Sequence, residues 1–184
     1  MGKVYDAIDG ALRAFIEAQH VFFVATAPAG DGHVNLSPKG LDSLRIVDRH
    51  TVLYLDYVGS GAETIAHLRD GGRIVLMVCA FEGPPKIVRL HGHGEAIEPA
   101  HSEFAALRAL FPSTMTARSV VRMRVTRISD SCGFGVPLYE FRRDRSQLPT
   151  WVERKGEEGL LQYQRKHNSL SIDGLPALEW TRRD

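Results

Sequence analysis

Two long β-branched runs, Arg73 to Phe81 and Lys86 to Ala96, are parted only by a short segment holding Gly83-Pro84-Pro85. Proline cannot donate to a strand ladder, so this segment breaks the pairing and turns the chain back on itself. The runs read as the two longest strands, paired as a hairpin. The same pattern appears upstream. Val21 to Thr26 is a short β-branched and aromatic run closed by Ala27-Pro28-Ala29-Gly30-Asp31-Gly32, a hairpin signal. Its return strand is expected over His33 to Leu36, ending at Ser37-Pro38-Lys39-Gly40. Leu44 to Val47 and Thr51 to Asp56 form a further pair around Asp48-Arg49-His50. Ser119 to Ile128 sets Val121, Met123 and Val125 against Arg122, Arg124 and Arg127, which predicts a half-buried strand with one wet face. Val136 to Phe141 reads as a last strand.

Helices are fewer and peripheral. Val4, Ile8, Leu12, Phe15 and Ile16 recur at three- and four-residue steps, which predicts an opening helix interrupted by Gly10. Ala62 to Arg69 is a second, with Gly71-Gly72 as its stop. Ser102 to Leu110 is a third, ended by Phe111-Pro112, and Gln147 to His167 a polar tail helix. About seven strands with three or four helices, joined mostly by hairpins, exclude the regular alternation of a parallel sheet. The expected class is mainly β: an antiparallel barrel or curved sheet with helices around it.

Composition bounds function by exclusion. The 184 residues make one domain, 1–184, of ordinary composition, 43% hydrophobic and 24% charged. Twenty-three Lys and Arg against 22 Asp and Glu leave a formal charge of +1, unlike the basic domain of a general nucleic-acid binder. Val21 to Ala27 and Ile74 to Phe81 are the longest apolar runs, far short of the ~20 residues that cross a bilayer. The first residues lack a signal peptide's apolar core. The expectation is a cytoplasmic protein with no nucleic-acid or membrane partner. Cys79 and Cys132, the only cysteines, offer no disulfide framework; Cys79 reads as a small core hydrophobe and Cys132 as a loop thiol.

Several motifs carry chemistry, each beside a plainer reading. Ser60-Gly61 stands at a helix start, where free N–H groups and the helix dipole favour an anion. Thr64 can add a hydroxyl, yet no lysine follows as in a P-loop and Glu63 opposes an anion, so a plain turn stays open. Ser37-Pro38-Lys39-Gly40 can present one cation to a pocket, or end a strand with a solvated lysine. Arg89 is either a surface side chain or a clamp for phosphate or carboxylate. His91 and His93 share a strand face, and with Glu95 they could ligate a metal or stand in solvent.

In order and motif, the stretch from about Ala18 to Ala96 resembles the pyridoxamine 5'-phosphate oxidase-like flavin-binding split barrels. The likeness rests on the first hairpin, Ser37-Pro38-Lys39-Gly40, the strand ending Tyr54-Leu55-Asp56, Gly59-Ser60-Gly61 before a short helix, and the pair Arg73-Ile74-Val75-Leu76-Met77 and Arg89-Leu90-His91-Gly92-His93-Gly94. The resemblance implies an antiparallel split β-barrel with a C-terminal helical extension and a homodimer with FMN at its interface. It also implies oxidoreduction of a small molecule through the flavin. Carried over by position, Ser37, Lys39 and Gly40 face the phosphate or ribityl chain; Ser60, Gly61 and Thr64 cap the phosphate; Arg89 lies near the flavin. The vitamin oxidases place Arg-Lys after the helix-turn serine, where this chain has Gly61-Ala62, which points away from pyridoxamine phosphate as substrate. The resemblance leaves as alternatives a deazaflavin-dependent reductase, a non-catalytic flavin-binding redox module and, given the histidines, haem binding.

Overall fold

A computed structural model describes residues 2–181. Eight strands make one antiparallel sheet: β1 (Val4–Tyr5), β2 (Phe22–Thr26), β3 (Asn35–Lys39), β4 (Leu44–Ile46), β5 (Thr51–Tyr57), β6 (Arg73–Cys79), β7 (Ile87–Ile97) and β8 (Ala117–Ser131). The order across the sheet is β3-β2-β6-β7-β8-β5-β4, with β1 pairing onto β8. The helices are α1 (Gly10–Glu17), α2 (Glu63–Asp70), α3 (Phe104–Arg108) and α4 (Gln147–His167).

The edge strands β3 and β4 follow one another in sequence, joined only by Gly40, Leu41, Asp42 and Ser43. Seven strands laid flat would hold their edges roughly 29 Å apart at ~4.8 Å per strand. The link from Lys39 to Leu44 reaches no further than roughly 18 Å. The sheet therefore has to curl until its edges nearly meet, and the expected antiparallel barrel forms, split between β3 and β4. Leu41 and Asp42 both take left-handed φ, 59° and 50°, to make this tight passage. Arg45 anchors it, donating to both carboxylate oxygens of Asp42 at 2.8 Å.

The barrel core holds Val24, Tyr54, Leu76, Leu90, Met123 and Ile128, closed at one end by Leu12 and Ile16 of α1. A second cluster, Ala62, Ile65, Ala66, Ala177 and Leu178, fixes the C-terminal tail against α2. None of the helices among the described residues is long and apolar enough to cross a membrane.

The structure departs from the sequence expectations in four places. Val4 and Tyr5 are strand, not helix, because the Asp9 side chain accepts from Leu12 N at 2.8 Å and starts α1 at Gly10. Ser37-Pro38-Lys39 lies inside β3 and does not follow it; an edge strand tolerates the missing N–H of Pro38. The longest strands are β8 and β7, since β6 ends at Cys79. Residues 136–141 form no strand; their backbone takes only isolated bonds, such as Tyr139 N to Phe81 O at 2.9 Å. The Gly71-Gly72 stop of α2 is as expected, with Gly71 at φ −139° and Gly72 taking the left-handed conformation at φ 69°. The tail helix falls on its expected bounds, with a non-helical break at Gly156.

Candidate functional site

The side chains of Asn35, Ser37 and Lys39 alternate along β3 and point inward, a period-two row on the strand that borders the split. Ser37 Oγ donates to Asn35 Oδ1 at 3.1 Å, and Asn35 Nδ2 donates to Thr64 Oγ1 on α2 at 3.1 Å. Thr26 and His67 extend the network, Oγ1 to Nδ1 at 3.0 Å, and His67 Nε2 is buried without a partner among the described residues. At the other end of the row, Lys39 Nζ crosses the split to Asp56 Oδ1 at 2.8 Å.

Asp56 is fully buried and shared. Arg118 Nε donates to its second oxygen at 2.7 Å, and Arg118 Nη1 to Gly59 O at 3.3 Å. The register explains how Arg118 gets there: Asp56 pairs with Ser119 and Tyr57 with Ala117, so Arg118 is the extra residue of a β-bulge. Such a bulge re-aims one side chain out of the alternation. Burial pushes the Asp56 carboxyl up, but Arg118 and then Lys39 outweigh it, and its pKa falls from 3.8 to about 2. Beside it, burial and then Asp56 push the Tyr54 phenol well above its ordinary value. One carboxylate serving two cations leaves the trio with a surplus positive charge.

Lys39 and Gly40 also line a cleft of about 970 Å³. Its walls come from the link between α1 and β2, the turn after β6 and the segment before α4. Two aromatic pairs build it: His20 on Phe141, rings 3.6 Å apart and 10° from parallel, and Phe81 on Tyr139 at 5.5 Å. Phe141 N donates to Glu82 Oε1 at 2.6 Å, holding the segment across the β6–β7 turn. Arg143 and Arg145 line the same cleft.

Of the residues singled out from sequence, Lys39 and Gly40 reach this cleft, Ser37 belongs to the row, and Thr64 on α2 is bonded to it through Asn35. Ser60 and Gly61 are exposed in the turn before α2, whose start carries no side-chain cap. The Glu63 carboxylate folds back to the space a Gly61 side chain would fill. Arg89 stands apart at the far end of β7, donating to Ser131 Oγ at 3.0 Å. His93 is exposed, Glu95 pairs with Arg122 at 2.6 Å, and no metal-binding group of three or more His, Cys, Asp or Glu occurs among the described residues. Cys79 is buried and Cys132 exposed. Sequence reasoning passed over Asp56 and Arg118 as site residues. Asp56 stands as a lone charge inside the apolar run Val52 to Val58, whereas Arg118 is one of several arginines on its strand and carries no local signal.

A family model described as pyridoxamine 5'-phosphate oxidase matches residues 8–132. The pyridoxamine 5'-phosphate oxidase family protein ustO of Aspergillus flavus is 37% identical, covering 98% of this chain and 79% of that protein. Among solved structures, Group A Streptococcus HupZ superposes with a TM-score of 0.55 at 24% identity, over 66% of this chain and 91% of that one. A candidate pyridoxamine 5'-phosphate oxidase of Lactobacillus delbrueckii gives 0.54 at 18%, over 68% and 98%. At these identities the two structures attest the fold. The family match ends at Cys132, so the aromatic segment and α4 lie beyond it.

Proposed function

The chain belongs to the pyridoxamine 5'-phosphate oxidase family, and from that membership we propose that it binds FMN and uses it to oxidise or reduce a small molecule. The observation that carries this reading is Lys39: a cation whose counter-ion is shared with Arg118, standing where the polar row of β3 meets an aromatic-walled cleft. Lys39 can turn an ammonium hydrogen to a phosphate without leaving Asp56, since the ammonium has three donors. Ser37 adds a hydroxyl on the same face. The aromatic pairs offer flat apolar surface to a ring system, and Gly40 keeps the cleft floor free of a side chain. Glu63 guards the α2 start, so the phosphate belongs at Lys39 and Ser37, with Ser60 and the first N–H groups of α2 admitted once Glu63 swings away.

A bound flavin supplies hydride or electron transfer, while the protein supplies position and charge. The chain's own contribution is placement: the row fixes one end of the ligand, the segment before α4 covers the other, and the surplus positive charge favours an anion. We also propose a homodimer with the cofactor at its interface, as the resemblance implies, and Leu36, exposed on β3 at the rim of the split, is an apolar side chain such an interface would cover.

The test is a titration of the purified full-length chain with FMN, followed by absorbance and flavin fluorescence. Micromolar binding is expected, weakened about tenfold or more in Lys39→Met, in keeping with the loss of one charge-assisted contact. A colourless protein that takes up no FMN overturns the reading. Binding of a deazaflavin in preference to FMN would move it to the deazaflavin reductases, and flavin binding without turnover of any reductant to a redox module.

A further inference from the structure

Across α2 from the β3 row lies a second cavity, of about 820 Å³, that the C-terminal extension completes. The barrel provides one wall, with Ala96, Ile97 and Arg118, and α2 adds Leu68 and Arg69. α4 provides the opposite wall with Glu157, Leu160 and Gln164, and the tail adds Glu179 and Trp180. The closure is built from specific bonds. Arg69 bridges the carboxylates of Glu98 and Glu179, and Glu179 N donates to Glu98 Oε2 at 3.0 Å, which ties the tail to the barrel. Arg165 lies over the Trp180 ring at 5.6 Å and steadies it.

Two nearly fully buried polar side chains line this space with hydrogen-bonding capacity unused. Arg118 is 5% exposed; its Nε and Nη1 are committed to Asp56 and Gly59, and its Nη2 has no partner among the described residues. Gln164 is 4% exposed; its Nε2 gives one bond back to Leu160 O at 3.3 Å, and its Oε1 accepts none among the described residues. Arg118 Nη2 and Gln164 Oε1 stay open to the cavity, and Arg69 Nε on the same lining is buried without a partner among the described residues; polar groups converging on an apolar-walled cavity mark where a ligand binds. The chemistry is graded from one end to the other. A guanidinium sits at the base, leucine, isoleucine and tryptophan surfaces form the walls, and the acidic Glu157 and Glu179 stand at the rim.

We propose that this cavity binds a free apolar α-amino acid. The carboxylate would be received by Arg118 Nη2, the ammonium by Gln164 Oε1 and the Glu157 side, and the side chain by Leu160, Leu68 and Trp180. The guanidinium matches a carboxylate, and the acidic rim repels a simple dianion while favouring a zwitterion. Arg118 also holds Asp56 beside Lys39, but the amino-acid and FMN titrations are separate measurements, so failure of one leaves the other standing.

Calorimetric titration of the full-length chain with L-phenylalanine, 3-phenylpropionate and 2-phenylethylamine tests it, with tryptophan fluorescence recorded alongside. L-Phenylalanine is expected to bind below about 1 mM, and each analogue lacking one charged group at least about tenfold more weakly. Gln164→Leu, which keeps the volume of a helical side chain, should weaken L-phenylalanine about tenfold. Glu157→Gln, at an exposed position that leaves folding intact, should weaken it severalfold while leaving 3-phenylpropionate unchanged. The fluorescence response should vanish in Trp180→Phe. No saturable heat with any of the three ligands up to about 10 mM, or equal binding of all three, overturns the proposal. So does unchanged affinity in both Gln164→Leu and Glu157→Gln.

Discussion

Lys39 and Asp56 meet at 2.8 Å across the split of the barrel, the ammonium on one edge strand and the carboxylate one strand in from the other edge. The pair therefore does two things at once: it pins the curled sheet shut and fixes a cation at the mouth of the cleft. Arg118, delivered by the bulge in β8, completes the trio from within.

The partners of Asp56 should not be equivalent in stability. Asp56→Asn leaves the buried guanidinium of Arg118 without its counter-charge and is expected to cost about 3–5 kcal/mol in urea unfolding. Lys39 keeps 21% of its side chain in solvent, and Lys39→Met still leaves Asp56 paired with Arg118, so about 1 kcal/mol is expected there. Equal losses in the two variants would show that Arg118 is not the principal partner.

Acid should act through the same carboxylate. The folded-state pKa of Asp56 is depressed from 3.8 to about 2, so its contribution is fully present above 3.8. That contribution is lost as pH falls from about 4 through 2, and amounts to about 2 kcal/mol. Unfolding free energy followed over that window should fall less steeply in Asp56→Asn than in the parent chain. Identical slopes would mean that other carboxylates govern the acid limb.

Flavin affinity should respond to the carboxylate that guards α2. Glu63→Gln removes a negative charge beside Gly61 at a helix start that carries no side-chain cap. FMN is expected to bind severalfold more tightly as a result, roughly the 0.3–1 kcal/mol typical of a charge at a helix end. Weaker binding would mean that Glu63 itself holds the ligand.

Gly92 is required by close approach. A Cβ at Gly92 would collide with the carbonyl oxygen of Arg124 and lie 3.1 Å from Val125 Cα, where the β7–β8 register slips. Gly92→Ala should cost about 1–3 kcal/mol by thermal or urea unfolding. Gly135→Ala, with nothing within 4 Å of its Cβ, should stay within about 0.5 kcal/mol of the parent.

Much of the barrel was legible in local chemistry. The hairpin signals at Asp31-Gly32 and Gly83-Pro84-Pro85, the alternation from Val121 to Val125 and the bounds of α4 are short-range properties, and each fell where expected. Val4 and Tyr5 did not, because two residues fit a helical stripe as well as a strand, and only pairing with Ser129 and Ile128 decides between them. Residues 136–141 failed for the opposite reason: strand propensity without a strand to pair with leaves the backbone to isolated contacts.

The site divides the same way. Lys39, Gly40, Ser37 and Thr64 could be singled out because their residue types and turn positions are chemical signals in themselves. Asp56 and Arg118 could not, since nothing local relates residues 62 positions apart. What the sequence by itself determined was the approximate place of strands β2 to β8, their hairpin connections and the residue types of Ser37 and Lys39. Only the tertiary structure decided that the sheet curls until its edges meet, that a bulge turns Arg118 inward onto Asp56, and that the C-terminal tail encloses a cavity against α2. Each depends on which distant strands lie side by side, and that is set by burial of the whole core and the reach of a four-residue link, not by the preferences of any one segment.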